Sequence, residues 1–194
     1  MRMNKTGLFL PALIIAAGLC LGLAACTKAP SDDEVKAMMQ VTDVSTKWVS
    51  KLYKPWPARL VLVPTVSFRV KNLKDKPLTY VDFNAIFILK DNPVNNGDNF
   101  KAAIRGTPVM PGEFSQVITL KSNFGVEGRT LASIRDNPYW KPWEVKLFAL
   151  THGSNPVLLG RWDVSRDIDF KEPEAVGLGK PEVKKPEPQK ETKK

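Results

Sequence analysis

Few side chains in this 194-residue chain have the chemistry that catalysis needs. There is one histidine, His152, and there are two cysteines, Cys20 and Cys26. His152 falls in the stretch from Thr151 to Pro156, which reads as a turn, and no serine stands in a Gly-x-Ser-x-Gly nucleophile elbow. Hydrolase chemistry or a metal centre of histidine and cysteine would require more of these residues than the chain supplies. Asp163, Asp167 and Asp169 could pair as carboxylates, but Arg161 and Arg166 stand beside them and predict ion pairs on a terminal strand. Asp91 to Asn99 is rich in Asp, Asn and Gly. The spacing of Asp91, Asn95, Asn96 and Asp98 does not follow the Asp-x-Asp-x-Asp-Gly order of a calcium loop, and Pro93 interrupts it; a turn explains the same residue types. No phosphate-binding glycine loop is present. The expectation is a non-enzyme with no cofactor and no metal.

The residue with a definite chemical prospect is Cys26. It closes an apolar run from Leu8 to Ala25 that follows two cations, Arg2 and Lys5, and contains no acid, which is the layout of an export signal over residues 1–25. A retained membrane helix is the competing reading, because the run approaches the ~20 residues of a bilayer span. Leu23-Ala24-Ala25-Cys26 resembles the bacterial lipoprotein signal. The resemblance implies that the Cys26 thiol is joined to diacylglycerol, that the peptide before it is removed and that the freed amine is acylated, palmitate being a typical chain. Thr27 follows the cysteine where aspartate would hold such a protein at the inner membrane, so the implied location is the outer membrane, facing the periplasm. With Cys20 discarded and Cys26 lipidated, no disulfide can form. Stability must then come from a core.

Removing Arg2 and Lys5 takes two from the formal charge of +9 and leaves +7. The cations are scattered and never interleave with aromatics, which argues against nucleic acid and for a solvated surface. The remaining length suits one domain with tails, and 16 prolines with 12 glycines favour strands and turns over helices.

The elements follow in order. Residues 26–42 read as anchor linker and short helix: Ser31-Asp32-Asp33-Glu34 is a capping box, followed by Val35, Met38 and Met39 on one face. From Asp43, Val44, Trp48 and Leu52 satisfy both helical and strand periods, and the intervening Ser and Thr favour a first strand. Leu60-Val61-Leu62-Val63 is a buried run, Pro64 marks a bulge or sheet switch, and Val66, Phe68 and Val70 alternate with polar residues. After a turn over Asn72 to Pro77, Val81, Phe83, Ala85, Phe87 and Leu89 form a second alternating strand. Lys101 to Arg105 reads as a short edge strand, Pro111-Gly112 as a turn, and Phe114 to Leu120 as a strand with Gln116, Ile118 and Leu120 on one face. A helical turn is expected around Leu131 and Ile134. Trp143 to Leu150 and Val157 to Val164 complete the strands, joined by the turn at His152.

Val70-Lys71-Asn72-Leu73, Lys76-Pro77-Leu78 and Phe87-Ile88-Leu89-Lys90-Asp91 resemble the FxLYD-type domains, small immunoglobulin-like sandwiches of bacterial envelope proteins. Phe87, Leu89 and Asp91 occupy the positions of the family's Phe, Leu and Asp, and Lys90 stands where the family has tyrosine. The resemblance covers about a quarter of the domain and brings no catalytic residues with it. The fold expected for residues 43–170 is all-β, an antiparallel immunoglobulin-like or fibronectin-like β-sandwich. Residues 171–194, rich in Pro, Lys and Glu, read as a disordered tail.

Lys-Pro-Trp occurs twice, at Lys54-Pro55-Trp56 and Lys141-Pro142-Trp143, the second preceded by Tyr139-Trp140. Proline restricts the backbone ahead of each ring. These rings either cap an open end of the core, or Trp56, Tyr139, Trp140 and Trp143 form a contact patch. The functional expectation is a lipid-anchored, non-catalytic binding or scaffold module that contacts another envelope component. The alternative is a receptor or carrier that uses the tryptophan-rich loops to hold a glycan or lipid.

Overall fold

The computed structural model describes residues 29–173. The expected signal and Cys26, together with residues 174–194 of the expected tail, lie outside the described residues. Helix α1 (Asp32–Met38) starts where the capping box predicts: Ser31 Oγ accepts from Glu34 N–H at 3.3 Å, and the Glu34 carboxylate accepts from Ser31 N–H at 2.7 Å. The helix lasts seven residues and buries Val35. Met39 is already extended, and β1 (Met39–Lys54) begins there, four residues earlier than its periodicity suggested. Val41, Thr42 and Val44 are β-branched and favour the extended chain.

β1 pairs antiparallel with β2 (Arg59–Asn72), and β2 pairs along its other edge with β5 (Ile118–Lys121) and β6 (Val126–Gly128). Strands β3 (Val81–Leu89), β4 (Asn92–Ile104), β7 (Trp143–Leu150) and β8 (Val157–Asp163) form a second sheet in the order β4-β3-β7-β8. The sheets face one another across Phe68 and Phe83, whose rings meet edge to face at 5.1 Å, and across Trp48 and Trp143 at 5.4 Å. Val66, Leu120, Phe87, Val145 and Leu147 fill the layer between them. Each such fully buried side chain contributes on the order of 1.5–3 kcal/mol. The described residues therefore form an all-β sandwich with two short helices, α1 and α2 (Leu131–Arg135).

Four details depart from the sequence expectations. Pro64 neither bulges β2 nor moves it to another sheet, since it stays in register opposite Trp48. Its carbonyl accepts from Ser122 N–H at 3.0 Å, so its ladder side faces the gap where β5 ends and before β6 begins. A missing donor costs nothing in that gap. Second, Asn92 to Asn99 is no turn but the first half of β4, a bulged edge strand that tolerates Asn, Asp and Gly because one side meets solvent. Third, Phe114 to Val117 precedes β5 rather than joining it, and Gln116 is exposed while Ser115 turns inward. Ser115 Oγ accepts from Val70 N–H at 3.0 Å in place of a ladder carbonyl. Fourth, β9 (Ile168–Asp169) pairs parallel to β1, so the first sheet is mixed and not wholly antiparallel.

Strand pairing defines two ends. Pairs Met39↔Asn72, Val81↔Ile104 and Asp82↔Leu150 place α1 at one end, nearest Cys26 in the chain. Sixteen residues of β1, about 50 Å at ~3.3 Å each, lead to the hairpin of residues 55–58 at the other. β6, α2 and the turn from β3 to β4 belong to that hairpin end.

Candidate functional site

Two open clefts lie at these opposite ends. At the α1 end, β4 and the segment leading into β5 are the edges of different sheets. They stay close where Asn99 Nδ2 donates to Lys121 O at 2.8 Å, then diverge around a groove of about 530 Å³ lined by residues 101–109 and 113–118. Buried Asn72 fixes the groove wall: its side chain donates to the carbonyls of Lys76 and Val109, each at 2.8 Å, and accepts from Lys74 N–H at 2.8 Å. Leu78 and Val109 exchange backbone hydrogen bonds at 2.9 and 3.1 Å beneath it. Phe114 and Val117 remain exposed on its rim, with Lys71 Nζ 5.6 Å from the Phe114 ring centre. Arg105 extends from the wall and is paired with Asp82.

At the hairpin end a second cleft, about 330 Å³, is lined by Asn95, Asn96, Phe124, Gly125, Tyr139 and Trp143. Its rings are mounted on fixed backbone. Gly125 crosses so close to β2 that a Cβ would stand 1.9 Å from Leu62 O, so only glycine lets the Phe124 link pass there. Asn123 ties that link to β4 through hydrogen bonds of 2.8 to 3.1 Å with Asp98. Tyr139 N–H donates to Asn137 Oδ1 at 2.8 Å, Asn137 Nδ2 donates to Glu127 O at 2.9 Å, and Trp143 Nε1 donates to Tyr139 O at 3.2 Å.

The four aromatic residues singled out in sequence have separate fates. Trp143 is core, 3% exposed. Trp140 is half-buried with its ring 4.7 Å from that of Trp48, and it closes the core. Tyr139 is 63% exposed on the cleft. Trp56 is 84% exposed on the hairpin and does not line the cleft. Its hairpin is held near the same end by Arg59, which donates to the Glu127 carboxylate at 2.8 and 2.9 Å and holds it below the usual carboxylate range, chiefly by that hydrogen bonding. Sequence reasoning missed Phe124, 68% exposed, because it stands alone in an irregular stretch. It also missed Asn95 and Asn96 as lining residues, because their residue types fitted a turn.

The carboxylates near the C-terminal strands do not converge. Asp163 pairs with Lys90 at 2.7 Å and Asp169 with Lys47 at 2.6 Å, while Asp167 accepts from Ser165 Oγ. Ion pairing holds, but for Asp163 and Asp169 the partners are lysines of other elements and not the neighbouring arginines. Lys90 and Asp91, within the stretch that resembles the FxLYD motif, both make bridges: Asp91 pairs with Lys141 at 2.7 Å. His152 is exposed in its turn. Among the described residues no three His, Cys, Asp or Glu side chains gather as a metal site, and no helix is long and apolar enough to cross a membrane.

No family profile and no curated protein sequence matches the chain. Among solved structures, the ApaA-designated protein of Bordetella pertussis is similar at 14% identity and a TM-score of 0.37, over 66% of this chain and 93% of that one. A protein from Archaeoglobus fulgidus is similar at 9% identity and a TM-score of 0.37, over 64% of this chain and 94% of that one. Nothing is carried over from either protein.

Proposed function

We propose that this chain is a lipid-anchored protein of the bacterial envelope, held by acylated Cys26, whose immunoglobulin-like sandwich is a non-catalytic module that binds another envelope protein. The anchor rests on Leu23-Ala24-Ala25-Cys26, and Thr27 favours the outer membrane facing the periplasm. The observation that carries the binding role is the groove between β4 and residues 113–118. Among the described residues β4 ends its sheet without a further strand beside it, and an open strand edge offers backbone donors and acceptors to an incoming extended segment. Exposed Phe114 and Val117 add apolar anchors beside that edge. The groove lies at the α1 end, which follows Cys26 most closely in sequence, so a partner held there would itself sit close to the membrane.

Mass spectrometry of the native protein should find a peptide that starts at Cys26 and carries the lipid mass. An unmodified Cys26 in the membrane fraction would remove the anchor from the account. For the groove, Val117→Arg should leave the melting temperature unchanged and abolish capture of the partner that the wild-type chain retains from detergent-solubilised envelopes. Undiminished capture of that partner would place binding elsewhere.

A further inference from the structure

The cleft at the hairpin end is separate from the groove, and we infer that it is a binding site for a neutral glycan. Its lining is two solvent-facing aromatic rings, two primary amides and the edge of a buried tryptophan, with no charged side chain, in a chain whose formal charge is +9. That combination excludes selection by charge. It suits a ligand that presents apolar C–H faces to rings and hydroxyl or acetamido groups to amides: a neutral sugar. An acyl chain would leave the amides unpaired, at a cost that hydrogen-bonding groups impose when desolvated without a partner.

Each amide already holds one hydrogen bond to the backbone. Asn95 Oδ1 accepts from Gly97 N–H at 2.8 Å, which leaves its Nδ2 to donate; Asn96 Nδ2 donates to Val94 O at 2.9 Å, which leaves its Oδ1 to accept. Asn95 is thus left with a donor and Asn96 with an acceptor, the two kinds of group that sugar hydroxyls pair with. Phe124 and Tyr139 come from different links, each tied down by the Asn123 and Asn137 hydrogen bonds, so little side-chain and loop ordering is left to occur on binding. The volume of about 330 Å³ lies at the lower end of ligand sites, of order 300–1,000 Å³, and fits a short segment of a chain rather than a large ligand. Being at the end opposite α1, the cleft would face away from the anchoring membrane under the proposed function, although glycan binding itself does not depend on acylation.

Calorimetry on the full chain in detergent, titrated with chitotetraose, cellotetraose and maltotetraose, tests the site. At least one should bind saturably. Tyr139→Ala and Phe124→Ala should each weaken it by roughly tenfold or more with the melting temperature unchanged; Tyr139→Phe should retain most of the affinity, because the ring face is kept. Val117→Arg should have no effect. Absence of saturation at millimolar sugar would overturn the proposal. So would binding that survives loss of both rings, or binding that disappears with Val117→Arg.

Discussion

Lys54-Pro55-Trp56 and Lys141-Pro142-Trp143 are the same tripeptide, yet Trp56 is 84% exposed and Trp143 is 3% exposed. The difference lies in the ladders around them. Trp143 opens β7 opposite Leu89 of β3; the carbonyl of Pro142 accepts from Lys90 N–H at 3.0 Å, and that of Trp143 from Val164 N–H at 2.9 Å. With β3 on one side and β8 on the other, its side chain points between the sheets, onto Trp48. Trp56 comes after the last pair of its own ladder, Lys54↔Arg59, and the strands end before it. Proline steers the backbone ahead of both rings. Only the presence of a second sheet opposite decides which ring is buried.

The largest effect that would break this comparison is at Trp143. Trp143→Ala should cost about 3–5 kcal/mol by chemical denaturation, the usual range for emptying a buried aromatic site. Trp140→Ala should cost roughly 1–2 kcal/mol, since that side chain is only partly buried and packs on the Trp48 ring. Trp56→Ala should change stability by less than about 0.5 kcal/mol. A loss there equal to that at Trp143 would mean that the hairpin ring is packed. The smallest effect concerns Lys141, beside the buried ring. Its hydrogen bond is the main cause that holds Asp91 below the ordinary carboxylate range. A lowered folded pKa means that the pair favours the fold above the unfolded carboxylate pKa and that this contribution fades as pH falls through the folded value. Lys141→Met should therefore raise the Asp91 titration midpoint, read by carbon-detected NMR, and leave the neutral-pH melting temperature unchanged, because the pair is exposed.

The central strands were legible because their burial alternates. Val81 to Leu89 and Trp143 to Leu150 each show a period of two along nearly their full length, and each lies inside a sheet with one face on the core. The capping box was equally local: Ser31 and Glu34 carry their own start signal. What could be read only in part was edge structure. The first half of β4 looks like a turn because an edge strand need not alternate, whereas Lys101 to Ile104 was legible as edge strand; β9 is two residues whose support is a parallel pairing with a strand far away in sequence. The clefts were hidden for the same reason. Phe114, Phe124 and Asn95 acquire neighbours only when distant edges meet, and a lone aromatic or a pair of asparagines has no periodic signature.

The central claim is a module tethered at its α1 end that binds a protein partner through the groove beside that end. Photo-crosslinking in living cells tests it most directly, with the crosslinking residue placed at Val117 and, as comparison, at exposed Arg129 of the hairpin end. The account predicts one discrete protein adduct from position 117, none of that mass from position 129, and loss of the adduct when Cys26→Ala removes the anchor. The same adduct from both positions, or none from position 117 in the anchored protein, would contradict it.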